Sequence, residues 1–437
     1  MSEEITLDEF ADSEKMNEEE SEELFGLGQM PSDWDIKSLS DTAEIIPGNS
    51  PPSSTYNENG DGLPFFQGNS NFTHFHPEAD TWCSDPRKEA QPNDVLISIR
   101  APVGDLNISD TKCCIGRGLA AIRPKNLNGL YLYYNLGERN IWLSRLATGS
   151  TFKAINKSDL QLLDVPTPLL PEQRKIATAL YTVDRAIEKT DEVITQTERL
   201  REGAMQDIFS RGVRSYDDFQ ETKYGTIPDN WELKPVREIA DRIGSGGTPN
   251  TDKEKYYDGD IEWVKTDDLN GGLVESAKTT ITSQGLDESA AKLFPVGTVV
   301  FAMYGGALGQ NGRLGMEAAM NQACCGIVTD ESEMNSYLLH QQLIHRKKQL
   351  TALSAGTHQQ NISQSMIEKF EVFVPPLDEQ KEVVDILKSI ERTIEANTNE
   401  KERLKRLKQA LMQDLLSGTV RTTDTNIEVP DEIEQYG

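Results

Sequence analysis

The chain has 437 residues, enough for about two to four domains with separate cores. Its formal net charge of −28 argues against a simple nucleic-acid binder, because such proteins neutralise phosphates with basic patches. No apolar run is long enough to cross a bilayer, and the acidic N-terminus lacks the apolar segment of a signal peptide, so we expect a cytoplasmic protein.

Cysteine usage and surface composition narrow the class further. The five cysteines include two adjacent pairs and form neither an even disulfide framework nor a C-x-x-C metal motif, so we expect reduced, mostly buried thiols. His74 and His76 with Cys83 could form a metal site, but two loop histidines without a second cluster are more often structural. The excess of acidic residues over lysine resembles that of proteins from halophilic archaea, and a similar habitat is our hypothesis.

The chain begins with an acidic segment and a first globular domain. Residues 1–24 are predicted to be a disordered tail, because residues 1–23 hold eleven acidic residues and one lysine without apolar periodicity. Residues 25–168 are predicted to form a mixed domain of strands and short helices with many turns. In this domain the apolar run Val95–Ile99 is typical of a strand.

Small and polar residues of the first domain are candidates for contacts with a ligand. Gly48, Asn49 and Ser50 form a loop that matches no nucleotide-binding spacing, so a plain turn and a DNA-facing loop are about equally compatible with it. Gln67 and Asn69 follow a strand-like run, and amide side chains can make bidentate contacts with base edges. The other candidate DNA-binding residues of this domain are Arg100, Ser150, Thr151 and Lys153.

Residues 169–212 are predicted to form one long helix, and residues 376–418 a second one. Both begin at a Leu-x-Glu-Gln sequence with an acid in the first turn, and Gly212 and Gly418 mark their ends. Apolar residues recur at steps of three and four, which places them on one coiled-coil stripe. The stripe comprises Ile176, Leu180, Val183, Ile187, Ile194, Val383, Leu387, Ile390, Ile394, Leu404, Leu407, Leu411 and Leu415.

A second globular domain is predicted over residues 213–375, between the two helices, and residues 419–437 are predicted to be a C-terminal tail. Its candidate loops and turns correspond to those of the first domain, but most of their side chains differ. Half-sites of different sequence would require such a difference. The candidate DNA-binding residues of this domain are Gly246, Gly247, Thr248, Lys265, Thr266, Tyr304, Thr357, His358, Gln359 and Gln360.

The second half of the chain repeats the first. Residues 168–214 align without a gap on residues 375–421, at a constant offset of 207. Upstream, Pro52 aligns with Pro249 at an offset of 197, so the second copy has gained about ten residues in loops. A repeat of this length predicts a molecule built twice, which suits a ligand with two similar halves, such as bipartite DNA.

The predicted fold class is α+β: two mixed α/β domains joined by two long antiparallel coiled-coil helices with pseudo-two-fold symmetry. A helix of about 40 residues is about 60 Å long, so the domains are expected at opposite ends, spanning under about 18 base pairs. The basic run Lys401–Lys408 favours a solvated helix face over a docking surface for an acidic partner.

These motifs together resemble the specificity subunit of a Type I restriction-modification system. The resemblance covers residues 25–421 and is carried by the paired Pro-x-x-Trp openings, the Gly246–Pro249 loop with Tyr257 and Trp263, the Leu-x-Glu-Gln helix starts and the repeated Met-Gln-Asp helix ends. The first copy departs from the family pattern, because its loop is Gly48-Asn-Ser-Pro-Pro52 in place of a Gly-Thr-Pro loop.

The resemblance implies two target-recognition domains, each of which recognises one half of an interrupted site in double-stranded DNA. It implies that the helices act as a spacer and bind two methyltransferase subunits, which restriction-translocase subunits then join. It also implies that this chain is not an enzyme and binds no cofactor, with S-adenosylmethionine on the methyltransferase. In agreement, the sequence has no Asn-Pro-Pro-aromatic methylation motif, no Walker loop and no nuclease-like acidic cluster.

Three alternatives stay open at this point. The chain could be the specificity subunit of a related restriction or phage-exclusion system, which neighbouring genes would distinguish. It could be a coiled-coil scaffold whose globular domains bind protein, which predicts no sequence-selective DNA footprint. An independent enzyme is the weakest alternative, because no nucleophile, base or metal constellation is present in the sequence.

Overall fold

The computed structural model describes residues 30–139, 143, 154–353 and 361–437. The chain divides into two compact units. The first unit comprises Met1–Glu192 with Thr398–Gly437, and the second comprises Val193–Asn397. Each unit therefore contains one mixed domain and one half of each long helix. The predicted tail at residues 1–24 lies outside the described residues.

The first unit contains eleven strands among its described residues, and its domain is built on two small sheets. The strands are β1 (Asp35–Ser38), β2 (Ala43–Pro47), β3 (Tyr56–Asn57), β4 (Leu63–Phe66), β5 (Trp82–Cys83), β6 (Glu89–Ala90), β7 (Val95–Ser98), β8 (Leu106–Ile108), β9 (Cys113–Ile115), β10 (Leu119–Pro124) and β11 (Asp164–Thr167). The helices that belong to this domain are α1 (Leu39–Thr42), α2 (Gly129–Glu138) and α3 (Lys157–Gln161). The sheets have the orders β2-β10-β7-β8 and β3-β5-β4-β9-β6, and β1 pairs with β11.

The long helix α4 (Leu170–Arg211) connects this domain to the domain of the second unit. The strands of that domain are β12 (Phe219–Thr222), β13 (Gly225–Pro228), β14 (Glu232–Pro235), β15 (Ala240–Ser245), β16 (Tyr257–Val264), β17 (Leu273–Val274), β18 (Thr280–Ile281), β19 (Leu293–Phe294), β20 (Val299–Ala302), β21 (Asn311–Leu314), β22 (Ala318–Met320), β23 (Cys324–Thr329) and β24 (Glu371–Val374). Its helices are α5 (Ser283–Asp287), α6 (Ser336–His345), α7 (Lys347–Ala352) and α8 (Gln364–Lys369). The second long helix, α9 (Leu377–Leu416), and the short α10 (Asp431–Glu434) follow.

The two domains are built alike. The order β2-β10-β7-β8 recurs as β15-β23-β20-β21, with β17 added at the edge. The parallel pair β4–β9 recurs as β16–β22, and the antiparallel pair β1–β11 recurs as β14–β24. The prediction of two mixed α/β domains is therefore confirmed.

The central strands are buried on both faces. All four residues of β7 and all four of β20 are buried. In β7, Val95 and Ile97 contribute to one apolar cluster, whereas Leu96 contributes to another on the opposite face. Strands covered on both faces have continuous apolar runs, which explains why these segments show no alternation in the sequence.

The long helices have 42 and 40 residues, about 63 and 60 Å at 1.5 Å per residue. Gly212 and Gly418 follow their C-terminal ends with φ of +72° and +71°, the left-handed conformation that glycine adopts most readily. An ideal Cβ on Gly418 would lie 2.4 Å from Pro31 Cγ, so this position has no space for a side chain. No helix among the described residues is long and apolar enough to cross a membrane.

Within each unit the two half-helices run antiparallel. In the first unit Asp191 pairs with Lys401 and Asp184 pairs with Lys408, so numbers rise on one helix as they fall on the other. In the second unit Arg201 lies 3.5 Å from Glu391, and the N–H of Val213 donates to Glu379. The antiparallel pairing expected from the repeat is confirmed.

The predicted apolar stripe is mostly correct, with one exception. Six of its members are buried, namely Ile176, Leu180, Ile187, Val383, Leu387 and Leu415. The prediction was wrong for Leu407, which is 46% exposed. The next residue, Lys408, is directed towards α4 instead, because the buried Asp184 on that helix provides a carboxylate partner.

Each domain is attached to its long helix by a tryptophan and a glutamate. Trp34 Nε1 donates to Glu172 Oε2 at 3.2 Å, and Trp231 Nε1 donates to Glu379 Oε2 at 2.9 Å. Arg421 adds a charged contact, because its Nε lies 2.7 Å from Glu172 Oε1. The Pro-x-x-Trp and Leu-x-Glu-Gln motifs are thus two sides of one contact.

The glutamine of the same motif fixes a second element. Gln173 Oε1 accepts the backbone N–H of Asn128 at 2.9 Å, and Gln380 Oε1 accepts that of Asn335 at 2.8 Å. Asn128 and Asn335 are the N-caps of α2 and α6, so the start of each long helix is hydrogen-bonded to the N-cap of an earlier helix in its own unit.

The segment after α9 packs on the first unit. Ile433 is fully buried, and its carbonyl oxygen accepts from Asn128 Nδ2 at 3.2 Å. The N–H of Gly129 donates to Tyr436 O at 2.7 Å, and Lys175 Nζ donates to Thr425 O at 2.8 Å. Residues of the predicted C-terminal tail therefore complete the core of this unit.

Candidate nucleic-acid interface

The two glycine loops have the same position in their domains. Gly48 N donates to Leu119 O at 2.9 Å, and Gly246 N donates to Cys324 O at 3.1 Å, where β10 and β23 begin. An ideal Cβ on Gly48 would lie 2.1 Å from Gly116 O, and one on Gly246 would lie 2.0 Å from Met320 O. These glycines are therefore required by close backbone approach, which places the loop against the sheet.

The contacts also correct the alignment of these loops. Tyr56 Oη donates to Pro51 O at 2.8 Å, and Tyr257 Oη donates to Pro249 O at 2.7 Å. Pro51 is thus the structural counterpart of Pro249, whereas the sequence alignment pairs Pro52 with Pro249. The first copy has the same loop as the second despite its different residues.

In the first domain Ser50 and Gln67 come together. Ser50 Oγ donates to Gln67 Oε1 at 2.9 Å and accepts the backbone N–H of Arg117 at 3.1 Å. Gln67 is exposed at the end of β4. These groups line a cleft of about 620 Å³ whose wall also includes Tyr56 and Phe65. Asn49 is exposed beside them, and its N–H donates to Ile115 O.

The second domain has an equivalent cluster. Thr248 Oγ1 donates to Gln322 Oε1, and Gly247 N donates to Met320 O at 2.8 Å. Lys265 follows β16 as Gln67 follows β4, and its Nζ lies 5.8 Å from the centre of the Trp263 ring. Polar and cationic groups therefore lie beside the glycine loop in both domains.

Two of the candidate DNA-binding residues, Asn69 and Thr266, are less available for contact with a ligand. Asn69 begins a short 3₁₀ turn, and its Nδ2 donates to Asp105 Oδ2 at 2.5 Å, so this amide is already occupied. Thr266 begins the corresponding 3₁₀ turn in the second domain and is half-buried.

Arg100 and Tyr304 each follow a residue whose backbone N–H makes an equivalent hydrogen bond in the two domains. The N–H of Ile99 donates to Gly118 O at 2.9 Å, and that of Met303 donates to Ala323 O at 2.8 Å. Arg100 is exposed, whereas Tyr304 is half-buried and burial raises its pKa. Arg100 therefore lies beside the turn that contacts Gln67. The predicted residues Ser150, Thr151, Lys153, Thr357, His358, Gln359 and Gln360 lie outside the described residues.

Sequence reasoning missed Arg117 and Gln322. Both are exposed, and both occupy the turn between the strand of the parallel pair and the next central strand: β9 to β10 in one domain and β22 to β23 in the other. A comparison of Gly116-Arg-Gly118 with Asn321-Gln-Ala323 could have found them. The adjacent cysteine pairs obscured it, because one pair lies on β9 and the other on β23.

The basic run on α9 is largely paired. Lys401 contacts Asp191, Lys408 Nζ lies 2.7 Å from Asp184 Oδ1, and Lys405 donates to Glu402 at 2.8 Å. Arg403 lies 3.3 Å from Glu400. These contacts agree with the interpretation of a solvated, ion-paired helix face.

The cysteines and histidines have structural partners. All five cysteines are free and buried, as predicted, and burial raises the pKa of Cys113 to about 11 and that of Cys324 to about 12. His76 Nδ1 lies 2.9 Å from Ile108 O, and His74 Nε2 lies 3.5 Å from Asp184 Oδ1. Across the described parts of the chain, no group of three or more His, Cys, Asp or Glu could hold a metal ion.

The chain is similar to known specificity subunits. It is 24% identical over 424 residues to the Type I restriction enzyme MjaVIII specificity subunit of Methanocaldococcus jannaschii, covering 94% of this chain and 98% of that one. It is 38% identical over 192 residues to the type I restriction enzyme MjaX specificity subunit of the same organism, which covers 43% of this chain and 45% of that relative.

A solved structure and a family model agree with these relatives. The crystal structure of a Type-I restriction-modification system S subunit from M. genitalium has the same fold, with a TM-score of 0.61 and 14% identity over 89% of this chain and 96% of that one. The model for the Type I restriction modification DNA specificity domain matches twice, at residues 31–198 and 228–406. The chain therefore belongs to the Type I restriction-modification DNA specificity family, as its sequence motifs predicted.

Proposed function

We propose that each domain recognises one half of an interrupted DNA site with the edge that carries its glycine loop. The supporting observation is the repeated turn: the loops at Ser50 and Thr248 contact equivalent turns, at Arg117 and Gln322, but the side chains there differ. The same scaffold with different polar groups fits two half-sites of different sequence. The candidates outside the described residues, Ser150–Lys153 and Thr357–Gln360, stay part of this proposal.

Base contacts carry more of the affinity here than phosphate contacts. A chain with a net charge of −28 gains little from counterion release over its whole surface. Exposed cations at the proposed edge, such as Arg100 and Arg117, would therefore act locally. Specificity by hydrogen bonds to base edges is the mechanism that suits this charge distribution.

We also propose that α4 and α9 bind two methyltransferase subunits and set the spacing of the half-sites. Each long helix has an exposed apolar side chain: Leu200 on α4 is 61% exposed and Leu407 on α9 is 46% exposed. Apolar groups in this position on a charged helix suit contact with a partner protein. Restriction-translocase subunits would join the methyltransferase subunits rather than this chain.

The chain itself would contribute recognition and no chemistry, in the cytoplasm where DNA is accessible. S-adenosylmethionine and the methyl transfer then belong to the methyltransferase subunits. This division of roles explains why the polar residues at the proposed edge are hydrogen-bond donors and acceptors for DNA rather than a nucleophile with its base.

The test is long-read mapping of N6-methyladenine in DNA from cells with and without the gene. We expect one interrupted motif to lose methylation on deletion. An unchanged map in cells whose methyltransferase is active and bound to this chain would overturn the proposal, and a scaffold role would replace it.

A second experiment tests the spacer role. Removing one heptad from α4 and the facing heptad from α9 shortens the pair by about 10 Å, equivalent to about three base pairs. We expect a motif with the same half-sites and a shorter gap. Exchange of residues 25–168 for those of another family member is the matched control, because it should change one half-site and leave the gap unchanged.

A further inference from the structure

The turn Gly116-Arg117-Gly118 is held rigidly against the end of β4. Gly116 N donates to Phe66 O at 2.8 Å and Gly118 N donates to Gln67 O at 3.0 Å. Ideal Cβ atoms on these glycines would lie 2.8 Å from Gln67 Cα and 2.5 Å from Gln67 O, so no side chain fits at either position. The backbone of Arg117 is fixed while its side chain is exposed at the cleft.

The Arg117 guanidinium has no carboxylate partner among the ion pairs of the described residues. The acid that lines the same cleft, Asp80, is engaged otherwise: hydrogen bonds from Asn71 and Thr81 lower its pKa, which keeps it charged. An unpaired arginine in a chain this acidic is an available binding group. A charged Asp80 in the same cleft opposes a phosphate there.

The neighbouring Gln67 presents donors as well. Its Oε1 accepts from Ser50 Oγ, and Ser50 Oγ in turn accepts the Arg117 N–H. The Gln67 amino group has no partner among the hydrogen bonds of the described residues, and Gln67 lines the cleft. Arginine and amide N–H groups together provide several hydrogen-bond donors side by side. The base edge that offers two acceptors side by side is that of guanine, with N7 and O6 in the major groove.

We propose that Arg117 determines specificity in the first domain and recognises a guanine in its half of the DNA site. Asp80 suits this assignment, because a carboxylate can accept from the amino group of the paired cytosine. The inference rests on the proposed function, in which this edge faces DNA. At the equivalent turn of the second domain the residue is Gln322, held by Thr248, so the second half-site is recognised by different chemistry.

The experiment uses the complex of the full chain with its methyltransferase subunits, after methylation mapping has given the site. Competition binding compares duplexes in which each G·C pair of the first half-site is replaced by A·T. We expect one position at which wild type prefers G·C by about ten-fold or more. Arg117→Ala should abolish this preference, and 7-deazaguanine at that position should weaken wild-type binding but not that of the variant.

Two variants provide controls. Arg117→Lys keeps the charge and removes the planar fork of the guanidinium, so it should weaken the preference while keeping affinity for unrelated DNA. Gln322→Ala should leave selectivity in the first half-site unchanged. Because 7-deazaguanine is tested on wild-type protein, the result does not depend on how well a variant folds.

The outcomes separate this inference from the proposed function. A wild-type complex that methylates no interrupted motif defeats the proposed function. A methylated motif whose first half-site contains no G·C pair would overturn the assignment of Arg117, and so would Arg117→Ala weakening all sequences equally. The latter result would make Arg117 a phosphate contact.

Discussion

The tryptophan–glutamate hydrogen bond that attaches each domain to a long helix is the same in both units, whereas the turns beside the glycine loops differ. Trp34 donates to Glu172, and Trp231 donates to Glu379 in the same way. The two tryptophans are 197 residues apart in the chain and the two glutamates 207. At this turn the first domain has Arg117 where the second has Gln322.

This difference reflects what each environment requires. A buried carboxylate needs partners, so the residues around Glu172 and Glu379 have few alternatives. An exposed side chain on a fixed turn can be exchanged without disturbing the core, as at Arg117 and Gln322. Attachment and recognition are therefore carried by separate residues, which allows specificity to change while the frame is kept.

The largest expected effect comes from removing the tryptophan that attaches each domain to its long helix, and it tests whether this contact contributes equally in both units. Trp34→Ala and Trp231→Ala should each destabilise their own unit by about 3–5 kcal/mol, because each removes a buried ring and one of the donors to a buried glutamate. Urea unfolding followed by circular dichroism measures this. Trp231→Phe should have a smaller effect, and a loss under about 1 kcal/mol in one unit alone would break the equivalence.

A second comparison concerns the helix pair, where equivalent positions differ in burial. Asp184 is 1% exposed and pairs with Lys408, whereas Glu391 is 37% exposed and lies 3.5 Å from Arg201. Lys408→Met should destabilise by about 3–5 kcal/mol because it leaves a buried charge, and Arg201→Met by under about 1 kcal/mol. Similar values from denaturant unfolding of the two variants would contradict this account.

The pH dependence sharpens the same comparison. Burial opposes the charge on Asp184, but contacts with His74, Lys408 and Tyr134 outweigh it and lower its pKa. The stability from this group is therefore present above the ordinary aspartate pKa of about 3.9 and is lost as pH falls through the lowered value. The difference in unfolding free energy between wild type and Asp184→Asn should shrink below about pH 4. A difference that stays constant to lower pH would refute the assignment.

The smallest effect concerns the glycine loops. Gly246→Ala should destabilise by about 1–3 kcal/mol, because the new Cβ would meet a backbone oxygen 2.0 Å away. Gly68→Ala is the control: nothing lies within 4 Å of its Cβ position, so a change within about 0.5 kcal/mol is expected. Equal thermal shifts in the two variants would show that close approach is not the reason for Gly246.

The two long helices could be predicted from the sequence, because helix periodicity and helix-end signals are local properties. The repeat predicted that the two domains are built alike. The ends at Gly212 and Gly418 follow from such signals. Leu407 was misplaced because a tertiary partner, Asp184, turns Lys408 towards the other helix, which periodicity does not encode. Arg117 was missed because its importance depends on contacts with Ser50 and Gln67 that are distant in sequence.

The first unit is discontinuous in the chain, and this has a consequence for synthesis. Its core includes Leu415, Leu416 and Ile433 together with Trp34, so about two hundred residues of another unit are made before it can close. The second unit, contained within Val193–Asn397, can fold first as it emerges from the ribosome. A chain truncated after Asn397 would contain all of the second unit and leave the first with an open apolar surface, so the last stretch of translation supplies what closes the first core.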